Sequence, residues 1–201
     1  MPKPTSGVRY AELYRETAET RIQIVLDLDG GTRQDITTGI GFLDHMLTQV
    51  AFHGEIDLGI SAEGDLEIDD HHTAEDVGIL LGQAFKEALD SEQAIVRYGD
   101  HITPMDEALV IVALDISGRG SLFYDVEFKR ERIGDLATEN IREFLRSFAT
   151  HAHVTLHVRQ LAGDNDHHIA EAIFKGLGRA IHTAICISEK RTSSSTKGSR
   201  D

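Results

Sequence analysis

The chain has 201 residues, 34 of them acidic against 20 basic, for a formal net charge of −14. Such a surface repels nucleic acid and anionic membrane, and no apolar run reaches the length of a bilayer span, so neither is expected as a partner. One cysteine, Cys186, cannot form an intramolecular disulfide, and the first residues lack the apolar core of a secretory signal, so a cytoplasmic location is expected, with Cys186 a small buried residue on a helix.

Residues 20–27 alternate as a strand, with Ile22, Ile24 and Leu26 on one face and Arg21, Gln23, Val25 and Asp27 on the other. After the turn Asp29-Gly30-Gly31, residues 32–38 are expected to return as the hairpin partner. Phe42, Leu43, Met46, Leu47 and Val50 give residues 42–52 a helical spacing. Residues 55–61 read as a strand and residues 73–89 as a helix, with Val77, Leu80, Leu81, Ala84 and Phe85 along one side. The order then recurs. Residues 108–116 are an apolar strand, Ser117-Gly118-Arg119-Gly120 a turn, and 121–128 its partner; 138–148 are a helix, 154–159 a strand, and 169–187 a closing helix.

The pattern β-β-α-β-α thus occurs twice, predicting an α+β fold. One catalytic domain is expected from two repeats, about 8–91 and 92–187, followed by a polar tail, 188–201. The residues repeat too. Leu26-Asp27-Leu28-Asp29-Gly30 matches Leu114-Asp115-Ile116-Ser117-Gly118, and His45-Met46-Leu47 through Ala51 matches Glu143-Phe144-Leu145 through Ala149. Asp70-His71-His72-Thr73-Ala74-Glu75 matches Asp166-His167-His168-Ile169-Ala170-Glu171, with Gly82 against Gly178 downstream.

The last of these matches carries chemistry. On a helix His71 and Glu75 share a face, whereas adjacent histidines diverge by roughly 100° around the axis. His71 and His72, and likewise His167 and His168, are therefore expected to serve different ions. With His45 and its repeat equivalent Glu143, the donors are His45, His71, His72, Glu75, Glu143, His167, His168 and Glu171, enough for two ions. Imidazole mixed with carboxylate and no thiolate suits Mn²⁺, Fe²⁺ or Zn²⁺, and octahedral sites with open positions favour Mn²⁺. His53, His101, His151, His153, His157 and His182 lack a partner at ligand spacing and are expected to be structural or exposed. The same donors would suit a dinuclear hydrolase or a metal-storage assembly.

Several ordered blocks add a resemblance. Glu19-Thr20, Gly41-Phe42-Leu43-Asp44-His45-Met46-Leu47, residues 69–76, Arg97-Tyr98-Gly99-Asp100, Pro104-Met105-Asp106-Glu107-Ala108-Leu109, Ser117-Gly118-Arg119, residues 156–172 and Ser195-Thr196-Lys197-Gly198 together resemble the imidazoleglycerol-phosphate dehydratase family of histidine biosynthesis. The resemblance implies duplicated half-domains, each a sheet backed by helices, in a ribosomal protein S5 domain 2-like fold. It also implies a homo-oligomer of 24 subunits with sites between subunits, and two Mn²⁺ per active site held by the eight donors above. Many members carry His where this chain has Glu143.

The implied activity is that of a lyase removing water from imidazole glycerol phosphate to give imidazole acetol phosphate. In the implied mechanism two metals hold the ring as imidazolate, the hydroxyl leaves, and a proton lost from the next carbon yields an enol. Glu171, a metal ligand beside the bound ring, is the candidate for moving the carbon proton, and Glu19 and Asp106 are the candidates for protonating the leaving hydroxyl or holding the diol. Gln49 contacts a hydroxyl, while Arg97, Arg119 and Lys197, with the hydroxyl of Ser195, bind phosphate.

Overall fold

The structure, a computed structural model, describes residues 9–89 and 94–188. β2 (Thr20–Asp27) is the strand its alternation predicts, with Ile22, Ile24 and Leu26 fully buried. Its counterpart β6 (Ala108–Asp115) buries Val110, Val112 and Leu114 in the same way. Each is flanked by an antiparallel strand that periodicity did not reveal: β1 (Tyr10–Glu16) pairs with β2, and β5 (Tyr98–Met105) with β6. The duplicated layout stands, with one more leading strand in each half.

The two expected hairpins do not form. β3 (Gln34–Thr37) pairs parallel with β4 (Asp57–Gly64), and β7 (Ser121–Asp125) pairs parallel with β10 (Thr155–Ala162). The sheets run β1-β2-β4-β3 and β5-β6-β10-β7. The reason is burial. β4 and β10 carry Leu58, Ile60 and Ala62, or Leu156 and Val158, on the inward face and take the slots beside β2 and β6. β3 offers Gln34, Asp35 and Thr37 around one partly buried Ile36, which suits an edge. A parallel pair needs a crossover, and α1 (Gly41–Gly54) and α3 (Thr138–His151) supply it. A short ribbon, β8 (Arg132–Ile133) with β9 (Leu136–Ala137), precedes α3.

α2 (His71–Ala88) and α4 (Asp166–Ile185) begin earlier than their apolar periodicity indicates, so each His-His pair lies in a first turn. α4 also ends before Cys186, which is exposed at its C-cap and not buried on the helix as expected.

α2 packs on β1, β2 and β4 and α4 on β5 and β6, but the helices pair across the halves, α1 with α4 and α2 with α3. One apolar cluster therefore runs through both halves. Two glycines set the spacing. A Cβ on Gly82 would lie 2.7 Å from the Phe148 carbonyl oxygen and 2.8 Å from Ala152 N. A Cβ on Gly178 would lie 2.7 Å from the Val50 carbonyl oxygen and 2.9 Å from Gly54 N. The cross-half contact also reaches a helix end. The α1 N-terminus has no side-chain cap of its own, and the Asp135 carboxylate accepts from Gly41 N (2.6 Å) and Phe42 N (2.9 Å).

Gly82→Ala or Gly178→Ala should push the paired helices apart and lower stability by about 1–3 kcal/mol, as overpacking does. Thermal unfolding of each variant measures this, and an unchanged melting temperature would contradict the close contact.

Candidate functional site

The cross-half pairing decides which donors meet. At the α1–α4 contact, His45 comes from the first half and His167 and Glu171 from the second. His45 Nε2 lies 3.4 Å and His167 Nε2 3.2 Å from the same Glu171 oxygen. The three ligand atoms all fall within 4.8 Å of one another, the group among the described residues with metal-site geometry. The edge-on ring of Phe42 supports His167, at 5.2 Å between centroids. Gln49, one turn after His45, has its Nε2 3.5 Å from His45 Nδ1.

Glu171 is buried, and its other oxygen accepts from Lys175 Nζ at 2.7 Å. Burial opposes ionisation of this carboxyl. Lys175 and His45 outweigh it and hold the group below its ordinary value, so Glu171 stands as a carboxylate. Lys175 was not foreseen from the sequence, although its i,i+4 spacing from Glu171 was there to be read.

The second cluster lies at the α2–α3 contact and is built differently. His71 Nε2 is 3.7 Å from Glu75. Glu143, the repeat equivalent of His45, directs its carboxylate at Arg146, which holds it through Nε at 2.8 Å and Nη2 at 2.5 Å. The same guanidinium reaches Glu75 at 3.2 Å. The first cluster thus has two imidazoles on one carboxylate, the second one imidazole and two carboxylates sharing an arginine. Arg146, too, escaped the sequence reading, because its role depends on a helix from the other half.

His72 and His168 turn away from these clusters, as adjacent residues on a helix must. His72 Nε2 is 3.8 Å from Glu19, and His168 Nε2 is 3.7 Å from Asp106. Each expected acid thus stands beside one outward histidine. The Asp65 hydrogen bond to His72 raises the pKa of that imidazole. Glu107, accepting from His168 and from Asn165 N, is held down to about 2.

Of the expected phosphate ligands, Arg97 forks onto Asp115, with Nε to Oδ1 at 2.6 Å and Nη2 to Oδ2 at 3.1 Å, and lies over the Tyr98 ring. Arg119 is exposed on the turn between β6 and β7. Ser195 and Lys197 lie outside the described residues. Among the remaining histidines, His151 and His182 bond the carbonyls of Ser147 and Gly54, and His157 stacks on Phe123.

A family model described as imidazoleglycerol-phosphate dehydratase matches residues 38–181. The chain is 50% identical over 189 residues to the imidazoleglycerol-phosphate dehydratase of Caldicellulosiruptor bescii, covering 94% of this chain and 97% of that protein. It is 54% identical over 180 residues to that of Azorhizobium caulinodans, covering 90% and 91%. The crystal structure of the Staphylococcus aureus enzyme superposes with a TM-score of 0.81 at 38% identity, over 89% of this chain and 99% of that one. For the Pyrococcus furiosus enzyme the values are 0.80, 41%, 92% and 99%.

Two buried aspartates hold the helix starts in place. Asp70, just before α2, accepts from Ala137 N at 2.7 Å and Asn140 Nδ2 at 2.9 Å, and Arg132 lies 3.0 Å away. Asp166, opening α4, accepts from Lys129 N and Arg130 N. Burial disfavours the Asp70 charge, but the bonds from Asn140 and Ala137 prevail and its pKa is lowered. A depressed carboxyl pKa contributes stability above the unfolded value, about 4, and loses it as pH falls through the folded one. Asp70→Asn should therefore cost about 1–3 kcal/mol near pH 7. Urea unfolding of wild type and variant should show that gap closing in acid.

Proposed function

The chain belongs to the imidazoleglycerol-phosphate dehydratase family, hydro-lyases of histidine biosynthesis, and from that premise we infer that its two donor clusters hold divalent manganese. The convergence of His45, His167 and Glu171 from opposite halves is the observation that carries this reading. The donors fit the ion: two imidazoles and a buried carboxylate lie within ligand distance of one another, without thiolate. His71, Glu75 and Glu143 make the second set. His72 and His168, directed outward, are the donors that a neighbouring copy would receive, which supports sites shared between subunits; the count of 24 subunits rests on the family resemblance.

Bound there, Mn²⁺ supplies positive charge and Lewis acidity at the imidazole nitrogens of the substrate. The remaining work falls to the chain. The reaction breaks one C–O and one C–H bond, releases water, and leaves an enol that tautomerises to the ketone of imidazole acetol phosphate. Glu171, kept ionised by Lys175, is suited to accept the carbon-bound proton. Glu19 and Asp106, each beside an outward histidine, are suited to protonate the departing hydroxyl or hold the diol. Gln49 orients the substrate hydroxyls, and Arg97, Arg119, Ser195 and Lys197 bind the phosphate. Phosphate binding by Arg97 is supported by its place beside the β6–β7 turn that carries Arg119, where Asp115 engages its Nε and Nη2 and fixes the guanidinium. The reading carries a cytoplasmic location with it. Among the described residues no helix is long and apolar enough to cross a membrane.

Metal analysis with a dehydration assay on imidazole glycerol phosphate tests the reading. Two Mn²⁺ per chain are expected, with activity lost on chelation and restored by Mn²⁺; full activity after stripping would overturn it. Arg119→Ala should raise KM roughly 10- to 100-fold, as loss of a charge-assisted bond does, with metal content unchanged. A lower metal content in that variant would remove Arg119 from the phosphate site.

A further inference from the structure

Three of the donor histidines share a feature that the donor inventory leaves unexplained. Their Nδ1 atoms all face an acceptor oxygen: Asn140 Oδ1 at 2.9 Å from His71, Asp65 Oδ2 at 3.0 Å from His72, and Glu107 Oε2 at 2.8 Å from His168. An ionised carboxylate can only accept, so the proton of a neutral imidazole resides on Nδ1 and the lone pair is left on Nε2. Asn140 is set by its own neighbour. Its Nδ2 donates to buried Asp70, so the amide oxygen is the atom presented to His71.

The two halves reach this arrangement by different routes. Glu19 and Glu107 occupy equivalent places, each one residue ahead of the second strand of its half, β2 or β6. Glu107 takes Nδ1 of His168 and is itself tied down by Asn165 N at 2.9 Å and Asp164 N at 3.3 Å. In the first half Glu19 stands on the Nε2 side of His72, and Asp65, on the turn after β4, takes Nδ1. Asp65 N donates to the Glu19 carbonyl at 3.1 Å, so the two residues bracket the ring from adjoining turns tied to each other. Shared ancestry alone would place the same residue on both rings. Two unrelated carboxylates on the same nitrogen point to a common requirement.

We propose that Asp65 and Glu107 are positioning residues, which fix the Nδ1–H tautomers of His72 and His168 and so aim their Nε2 lone pairs outward as donors. The inference rests on the metal reading above. A carboxylate behind a ligating imidazole both orients the ring and makes it a stronger donor, and its loss weakens metal binding about 10- to 100-fold.

A titration of the full chain with Mn²⁺, following the electron paramagnetic resonance signal of the free ion, tests the proposal. Asp65→Ala and Glu107→Ala should each weaken binding by about 10- to 100-fold. Asp65→Asn and Glu107→Gln, which keep an acceptor oxygen, should recover most of it. Glu107→Met keeps the side-chain length without the acceptor and should weaken binding as much as Glu107→Ala does. Melting temperatures measured with chelator should match wild type. Wild-type affinity in Asp65→Ala, Glu107→Ala and Glu107→Met overturns the positioning role. A wild-type chain that binds no Mn²⁺ overturns the metal reading instead.

Discussion

The site depends on how closely helices from opposite halves approach. Gly82 and Gly178 occupy equivalent places in the two repeats, and each lets a backbone carbonyl of the facing helix come where a methyl group would otherwise sit. That approach brings His45 on α1 to Glu171 on α4, and Arg146 and Glu143 on α3 to Glu75 on α2. Side chains of this length reach one another only across a short gap. The packing of the core and the chemistry of the clusters are one constraint.

Charge placement follows from the same geometry. An acidic chain can bury a carboxylate only where something compensates it. Glu171 has Lys175 and two imidazoles, Asp70 has Arg132, Asn140 and a backbone N–H, and Asp166 has two backbone N–H groups with Arg130 nearby. The last two anchor the loop before α3 and the strand-to-helix loop after β7 to the starts of α2 and α4. The first histidine pair therefore rides on a helix end fastened from the other half, and the second on one fastened by the loop after β7 of its own half.

Much of this was legible in the sequence. β2 was readable because Ile22, Ile24 and Leu26 alternate with polar residues on a half-buried sheet, and the paired His-His-x-x-Glu runs revealed the repeat. β1 was not readable, since Tyr10, Glu12, Tyr14 and Glu16 face outward on an edge and only Ala11 is fully buried. β5 was obscured by Gly99 and Pro104, which normally weaken a strand assignment. The parallel pairing of β3 and β7 could not be seen because register and neighbour are settled by which strand has more apolar surface to hide. Asp65, Glu107 and Arg146 went unnoticed for a related reason. Glu107 meets His168 and Arg146 meets Glu75 only through the fold, and Asp65 reaches His72 only because the turn after β4 folds back on the first turn of α2. Cys186 was misjudged because α4 stops one residue short of it.

The crosswise helix pairing has a consequence for how such a chain could arise. Each half alone would keep its helices on its own sheet but leave bare the apolar surface that α1 and α2, or α3 and α4, turn toward the helices of the other repeat. A half-length ancestor could hide those sides only by embracing a twin, first helix against second in both directions. Such a pair would have held two identical donor sets related by a dyad. In a single fused chain the two sets are free to differ, as His45 in one half and Glu143 with its arginine in the other now do.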